Sequence, residues 1–319
     1  MKGHWIIGIA VLSAILFSCG PDDHSISVTV VPIPDSGQTQ SYTPSFGQDS
    51  DYLLHPPSYS DNGNGTITDN VTGLIWQKEY DSSARFFLDA DAYCAGLELA
   101  GLSGWRMPSD FELMTIVDYG AAVPVINGTY FPNTPSDFPW WTLTGERSSS
   151  FFKGRWAVDF RTGNLDTFSG NGYTRCILGD LNELSVFQHS GQNQPRVFEN
   201  NGNGTITDRI TRLVWQRQDE GTTAVWEDAI TRCEALSLGG HTDWRLPNVK
   251  ELRSIVDSGT YAPAIYAGYF TNTRTDSYWS STTYGASPNA AWRVNFWHGE
   301  VTSSLKENAL FVRCVRGGE

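Results

Sequence analysis

The residues able to do chemistry in this chain are few, and most of them recur in pairs. Cys19, Cys94, Cys176, Cys233 and Cys314 are its five cysteines. Cysteines can ligate metals, attack substrates or close disulfides, and export favours the last of these. Glu112 and Glu251 could serve as general acids. Each, however, stands three residues after Ser109 or Asn248, the spacing of a helix capping box. Asp61, Asn64 and Asp69 are hard oxygen donors in a Gly-rich stretch, a set that could hold calcium, although Asn200 replaces Asp61 in a second occurrence. His189, His241 and His298 are isolated from metal-ligand spacing, and no phosphate-binding Gly loop or nucleophile elbow is present. The inventory favours binding over catalysis, with no cofactor required.

The N-terminus carries an address. Lys2 precedes an apolar run at 5–17, the layout of a signal peptide. The run ends in Leu16-Phe17-Ser18-Cys19-Gly20, which resembles a bacterial lipobox. The expectation is a signal peptide over 1–18 and a lipidated Cys19 that anchors the chain to a membrane. Gly20, rather than Asp, after the lipidated cysteine favours the outer membrane of the bacterial envelope. The run is shorter than the roughly 20 apolar residues of a membrane span. Net charge is −13, so nucleic acid is excluded as a partner, because neutralising phosphates needs a basic face.

Beyond the leader the chain repeats itself. Residues 61–77 read DNGNGTITDNVTGLIWQ and residues 200–216 read NNGNGTITDRITRLVWQ. The same register aligns Trp76 with Trp215, Cys94 with Cys233, Trp105-Arg106 with Trp244-Arg245, and Glu112 with Glu251. After small deletions Trp156 aligns with Trp292 and Cys176 with Cys314. Two domains are therefore expected, at 56–180 and 195–319, joined by a linker at 181–194. Residues 19–55, rich in Pro, Ser, Thr, Gly and Gln, read as a flexible tether without a core. A duplicated unit once folded alone, so the disulfides are expected within copies, as Cys94–Cys176 and Cys233–Cys314.

Within a copy, the pattern predicts strands at 65–69 and 74–76 around a 70–73 turn. A helix is predicted over 86–100 and a capped short helix over 109–118. Strands follow at 140–144, 155–161 and 173–178. This order resembles the C-type-lectin-like fold: α+β, two tandem domains, each with two helices on small antiparallel sheets. The motifs are more specific. Asn-Gly-Asn-Gly-Thr-Ile-Thr-Asp, Thr72-Gly73-Leu74-Ile75-Trp76-Gln77, Trp105-Arg106-Met107-Pro108, Trp279-Ser280-Ser281-Thr282 and Arg313-Cys314-Val315-Arg316 resemble the Lcl C-terminal domain family. That family is named for a bacterial collagen-like adhesin, and the resemblance implies a lectin-like adhesion module for glycan or surface-protein ligands. No Gly-X-Y tract accompanies it here, so the trimerisation such a tract drives is not implied. The alternatives are a structural envelope protein or an enzyme related to formylglycine-generating enzymes. The latter need free cysteines for copper, which two disulfides would consume.

Two arguments select ligand-binding residues. Tryptophans kept in both copies read as core, whereas Trp141 aligns with Ser280 and Trp297 with Arg161. Strand alternation turns Trp141 outward, and it places Arg293, Asn295 and Trp297 opposite the apolar Trp292, Val294 and Phe296, with His298 at the turn. These five are the expected ligand contacts. The second argument is charge: residues 61–180 hold 8 basic and 15 acidic side chains, residues 195–319 hold 13 and 14. An anionic glycan should therefore prefer the second copy, near Arg209, Arg212, Arg217 or Arg293.

Overall fold

The Asn-Gly-Asn-Gly motif folds into a strand-ending turn that its own side chains satisfy. The computed structural model describes residues 30–145, 154–178 and 198–318, so Cys19, the 1–18 leader and the 181–194 linker lie outside the described residues. Asn62 donates to the Thr66 and Thr68 hydroxyls at 2.9 and 3.0 Å, while Gly63 and Gly65 take φ of 70° and 89°. The Asp69 carboxylate then accepts from the Val71 and Thr72 N–H groups and starts the next turn. Strands β1 (Tyr59–Asp61), β2 (Thr66–Asp69) and β3 (Ile75–Gln77) result, and β7 (Ile177–Leu178) closes an antiparallel sheet ordered β1-β2-β3-β7. The second copy repeats it with β8 (Phe198–Asn200), β9 (Thr205–Asp208), β10 (Leu213–Gln216) and β14 (Val315–Gly317). Trp76 and Trp215 are buried beneath these sheets, each edge-on to Phe131 or Phe270.

The first helix of each copy is shorter than the sequence predicts. Helices α1 (Phe87–Ala95) and α3 (Trp226–Glu234) stop early, and in the first copy Gly96 ends the helix. Leu99 and Leu102 then exchange backbone hydrogen bonds across Ala100-Gly101, both at positive φ, which no helix can accommodate. Helices α2 (Asp110–Thr115) and α4 (Val249–Ser254) carry the expected capping boxes. The fold is α+β in both copies.

The remaining strands join the two copies. β4 (Trp140–Gly145), β5 (Arg155–Asp159) and β6 (Asn164–Phe168) continue into β13 (Val301–Leu305), β12 (Ala290–Asn295) and β11 (Ser277–Thr283), giving one antiparallel six-stranded sheet. At the junction Leu165 pairs with Val301, its own counterpart in the repeat. A residue pairing with its equivalent marks a two-fold axis, so the copies meet as an isologous dimer meets, but within one chain. The turns at this seam are tight. A Cβ on Gly163, at φ +93°, would lie 2.9 Å from the Tyr119 ring and 3.2 Å from Trp292.

The expectation of a coreless tether is corrected over residues 30–55. Val31, Ile33, Ser36, Gln38 and Asp49 are buried. The segment is a strap across both copies: Ser36 accepts from the Tyr119 N–H, and Gln38 exchanges two hydrogen bonds with the Thr283 backbone. The Lys250 ammonium donates to the carbonyls of Asp35 and Thr115. Composition misled because a polar strap needs no apolar period when its side chains replace backbone partners.

Burial raises the strap carboxyls of Asp35 and Asp49 from 3.8 to about 6. A carboxyl whose folded pKa exceeds its unfolded one contributes fully below about pH 4, and that stability is lost as pH rises through 6. The melting midpoint is therefore expected to rise from pH 7.5 to pH 5, and Asp49→Asn should flatten the rise. Equal slopes in the two proteins would show that Asp49 is not responsible.

Candidate functional site

The four domain cysteines are consumed structurally. Cys94–Cys176 ties α1 to the approach of β7, and Cys233–Cys314 does the same in the second copy, each with Cα atoms 5.5 Å apart. No thiol of the four is left for copper or nucleophilic chemistry.

The paired carboxylates are also spoken for. Ser109 accepts from the Glu112 N–H, and the Glu112 carboxylate accepts from the Ser109 N–H at 2.7 Å. Both Glu112 oxygens receive the Arg106 guanidinium as well, at 2.8 and 2.7 Å. Arg245 clasps Glu251 at 2.7 Å twice. A carboxylate whose two oxygens are taken by an Arg fork and by the helix N-terminus is occupied structurally and has its geometry fixed by those partners. Arg175 and Arg313, just before the last cysteines, are fully buried and donate to the carbonyls of Gln77 and Gln216.

The calcium set is not assembled. Asp61 accepts from the Gly63 N–H and pairs with Lys78 at 2.7 Å, while Asn64 accepts from Thr66. Asp69 is registered opposite Tyr59, not Asp61, and its carboxylate serves the following turn.

Trp141 is not a ligand contact: it is 2% exposed, and its indole N–H donates to the Arg85 carbonyl at 2.8 Å. Strand alternation does hold here, since Trp140 faces Phe160 and Trp141 faces Phe87, Cys94 and Trp105. Both faces of β4 are covered, so the outward face is no less buried. The second copy supplies the same bulk from the helix, where Trp226 is buried and donates to the Ser280 carbonyl.

Arg293, Asn295, Trp297 and His298 do come together, around the β12–β13 turn. Asn295 accepts from the Trp297 N–H at 2.8 Å, and the Trp297 carbonyl accepts from the Ala262 N–H at 2.7 Å. This fixed backbone holds out a Trp297 side chain that is 56% exposed, with half-exposed Tyr261 one residue before Ala262. Arg293 bonds to the Ser277 hydroxyl and, at 3.4 Å, to Glu300, which also accepts from Asn295. His298 stacks on Trp156 of the first copy, centroids 5.8 Å apart and planes 20° apart. Its Nε2 lies 3.3 Å from Glu300 and 3.9 Å from Asp166. The carboxylates of Asp166 and Glu300 hold the imidazole charged, raising its pKa to about 9. Of the proposed anionic-ligand arginines, Arg209 and Arg212 sit exposed at the β9–β10 turn, in a different sheet from Arg293.

Asp166, Glu300 and Tyr261 were not among the sequence candidates. The repeat contained a clue, because Thr162-Gly163-Asn164 in one copy becomes His298-Gly299-Glu300 in the other. Two clefts flank this region. One, of about 490 Å³, is lined by Phe138, Arg161, Asp166 and Phe168; the other, of about 380 Å³, lies at the seam between Tyr42, Tyr119, Arg161, Tyr284 and Trp292.

Duplicated α+β units, each stapled from first helix to last strand and each with a Glu spent on capping its second helix, define a tandem disulfide-pinned module. The sequence matches the Lcl C-terminal domain family twice, over residues 65–178 and 204–316, and the chain belongs to that family. This is not a known enzyme family, and its tandem occurrence is of the surface or adhesion-module type. No curated protein matches the chain. No helix among the described residues is long and apolar enough to cross a membrane.

Proposed function

We propose that this chain is a lipid-anchored module of the bacterial envelope that binds a glycan or surface protein, in the lectin-like manner, through the second copy. The observation that carries this reading is Trp297. Ten of the eleven described tryptophans are buried, and Trp297 alone stands out from a turn whose backbone is fixed on both sides. A large exposed aromatic with rigid support loses little entropy on stacking against a sugar face or a peptide. The near-neutral charge of the second copy, against a strongly acidic first copy, supports the same side. Anchorage rests on the lipobox-like Ser18-Cys19.

The test is a glycan and matrix-protein array probed with soluble chain starting at residue 20, which keeps the strap in place. Trp297→Ala should reduce binding at least tenfold while changing stability by no more than about 0.5 kcal/mol. Trp141→Ala should instead cost about 3–5 kcal/mol, as large core truncations do. Unchanged array binding by folded Trp297→Ala would remove this residue from the ligand contact.

A further inference from the structure

The seam between the copies is symmetric in backbone but not in chemistry. Asp166 on β6 of the first copy meets His298 and Glu300 of the second, and one ligand atom from each lies within 4.8 Å of the others. The dyad places the counterparts of these residues, Thr302, Thr162 and Asn164, on the opposite side of the seam. All three donor side chains therefore stand on one side only, although they come from both copies. The fold does not demand them, since the other side closes with two threonines and an asparagine.

We propose that Asp166, His298 and Glu300 form a binding site for a divalent transition metal of the zinc class, which clasps the two copies together. One imidazole and two carboxylates are a donor set that zinc accepts. The metal takes the place of the proton that the two carboxylates otherwise hold on His298 Nε2, releasing it to solvent, and the carboxylates then balance the metal's charge. The imidazole argues against calcium and magnesium, which take oxygen ligands. Donors around a tetrahedral zinc with bonds near 2.0–2.1 Å sit about 3.3 Å apart. The His298–Glu300 separation of 3.3 Å already has that value, and the half-exposed Asp166 must close from 3.9 Å.

The supports have the form that metal ligands receive. The His298 ring is oriented by stacking on Trp156. One Glu300 oxygen, Oε1, accepts from Arg293 and Asn295, which leaves Oε2 directed at His298. Asp166 also lines the cleft of about 490 Å³, from whose water a fourth donor can come. The site is independent of ligand capture by Trp297, so either can fail without the other.

Chelator-treated soluble chain, starting at residue 20, would be titrated with ZnCl2 by calorimetry at pH 7.5, with native mass spectrometry for stoichiometry. The expected result is one zinc per chain, with micromolar or tighter affinity and a raised melting midpoint. His298→Ala and Asp166→Asn should each weaken uptake at least tenfold, and His241→Ala should leave it unchanged. Asp166→Asn alters an exposed side chain, so it reports even where His298→Ala fails to fold. Absence of zinc uptake, or folded Asp166→Asn binding zinc as tightly as the parent, would overturn the site. Calcium uptake equal to that of zinc would overturn the assigned metal class.

Discussion

Replacing both Cys233 and Cys314 by Ala is expected to cost about 4 kcal/mol of stability. The bond closes a separation of 81 residues, and loops of this size restrict the unfolded chain by about 4.5 kcal/mol in the chain-entropy model. Alanine suits the site because both sulfurs lie in an apolar cluster with Trp226, Trp244 and Trp279, where serine would add an unpaired hydroxyl. Urea denaturation would measure the loss as a lower midpoint. One sheet spans both copies, so unfolding should remain a single transition in the variant. A separate early transition for the second copy, with the first copy unaffected, would show that the seam does not couple them.

Breaking the ion pair inside the seam should be nearly as severe. Asp110 on α2 and Arg253 on α4 pair with no exposure of either side chain, and the Ser258 hydroxyl donates to the same carboxylate. The Arg253 guanidinium also lies over Trp156, 5.5 Å from its centroid. Asp110→Val alone would leave a buried guanidinium without its counter-charge, at a cost of about 3–5 kcal/mol. The repeat supplies the cure, because Asp110 aligns with Val249 and Arg253 with Met114, both fully buried. The double change Asp110→Val with Arg253→Met makes the two sides alike and should recover most or all of the loss, as hydrophobic replacement of buried pairs does. A double-mutant cycle measures the coupling. A double variant as unstable as Asp110→Val would show that the pair is required for packing against Ser258 and Trp156.

What was legible in the sequence was local or duplicated. Ser109 and Glu112 are three residues apart, and their reciprocal hydrogen bonds need only one helical turn. The Asn62 and Asp69 turns are satisfied by side chains within six residues. The Cys94–Cys176 and Cys233–Cys314 pairs span long loops, yet duplication selected them. Trp141 was misread because alternation reports which face a side chain takes and not what covers that face. The strap was misread because its partners, Tyr119, Lys250 and Thr283, belong to other elements.

The sequence by itself therefore determined the unit: its turns, its capped helices, its disulfides and its twofold occurrence. Those features depend on contacts between near neighbours, or on a pattern that duplication wrote twice. Tertiary structure alone decided how the copies meet, that Leu165 pairs with Val301, and that Asp166 reaches His298 and Glu300. The physical reason is that a dyad brings together residues by symmetry and not by spacing. A three-residue site assembled from both copies has no signature along either one until the edge strands β6 and β13 have paired.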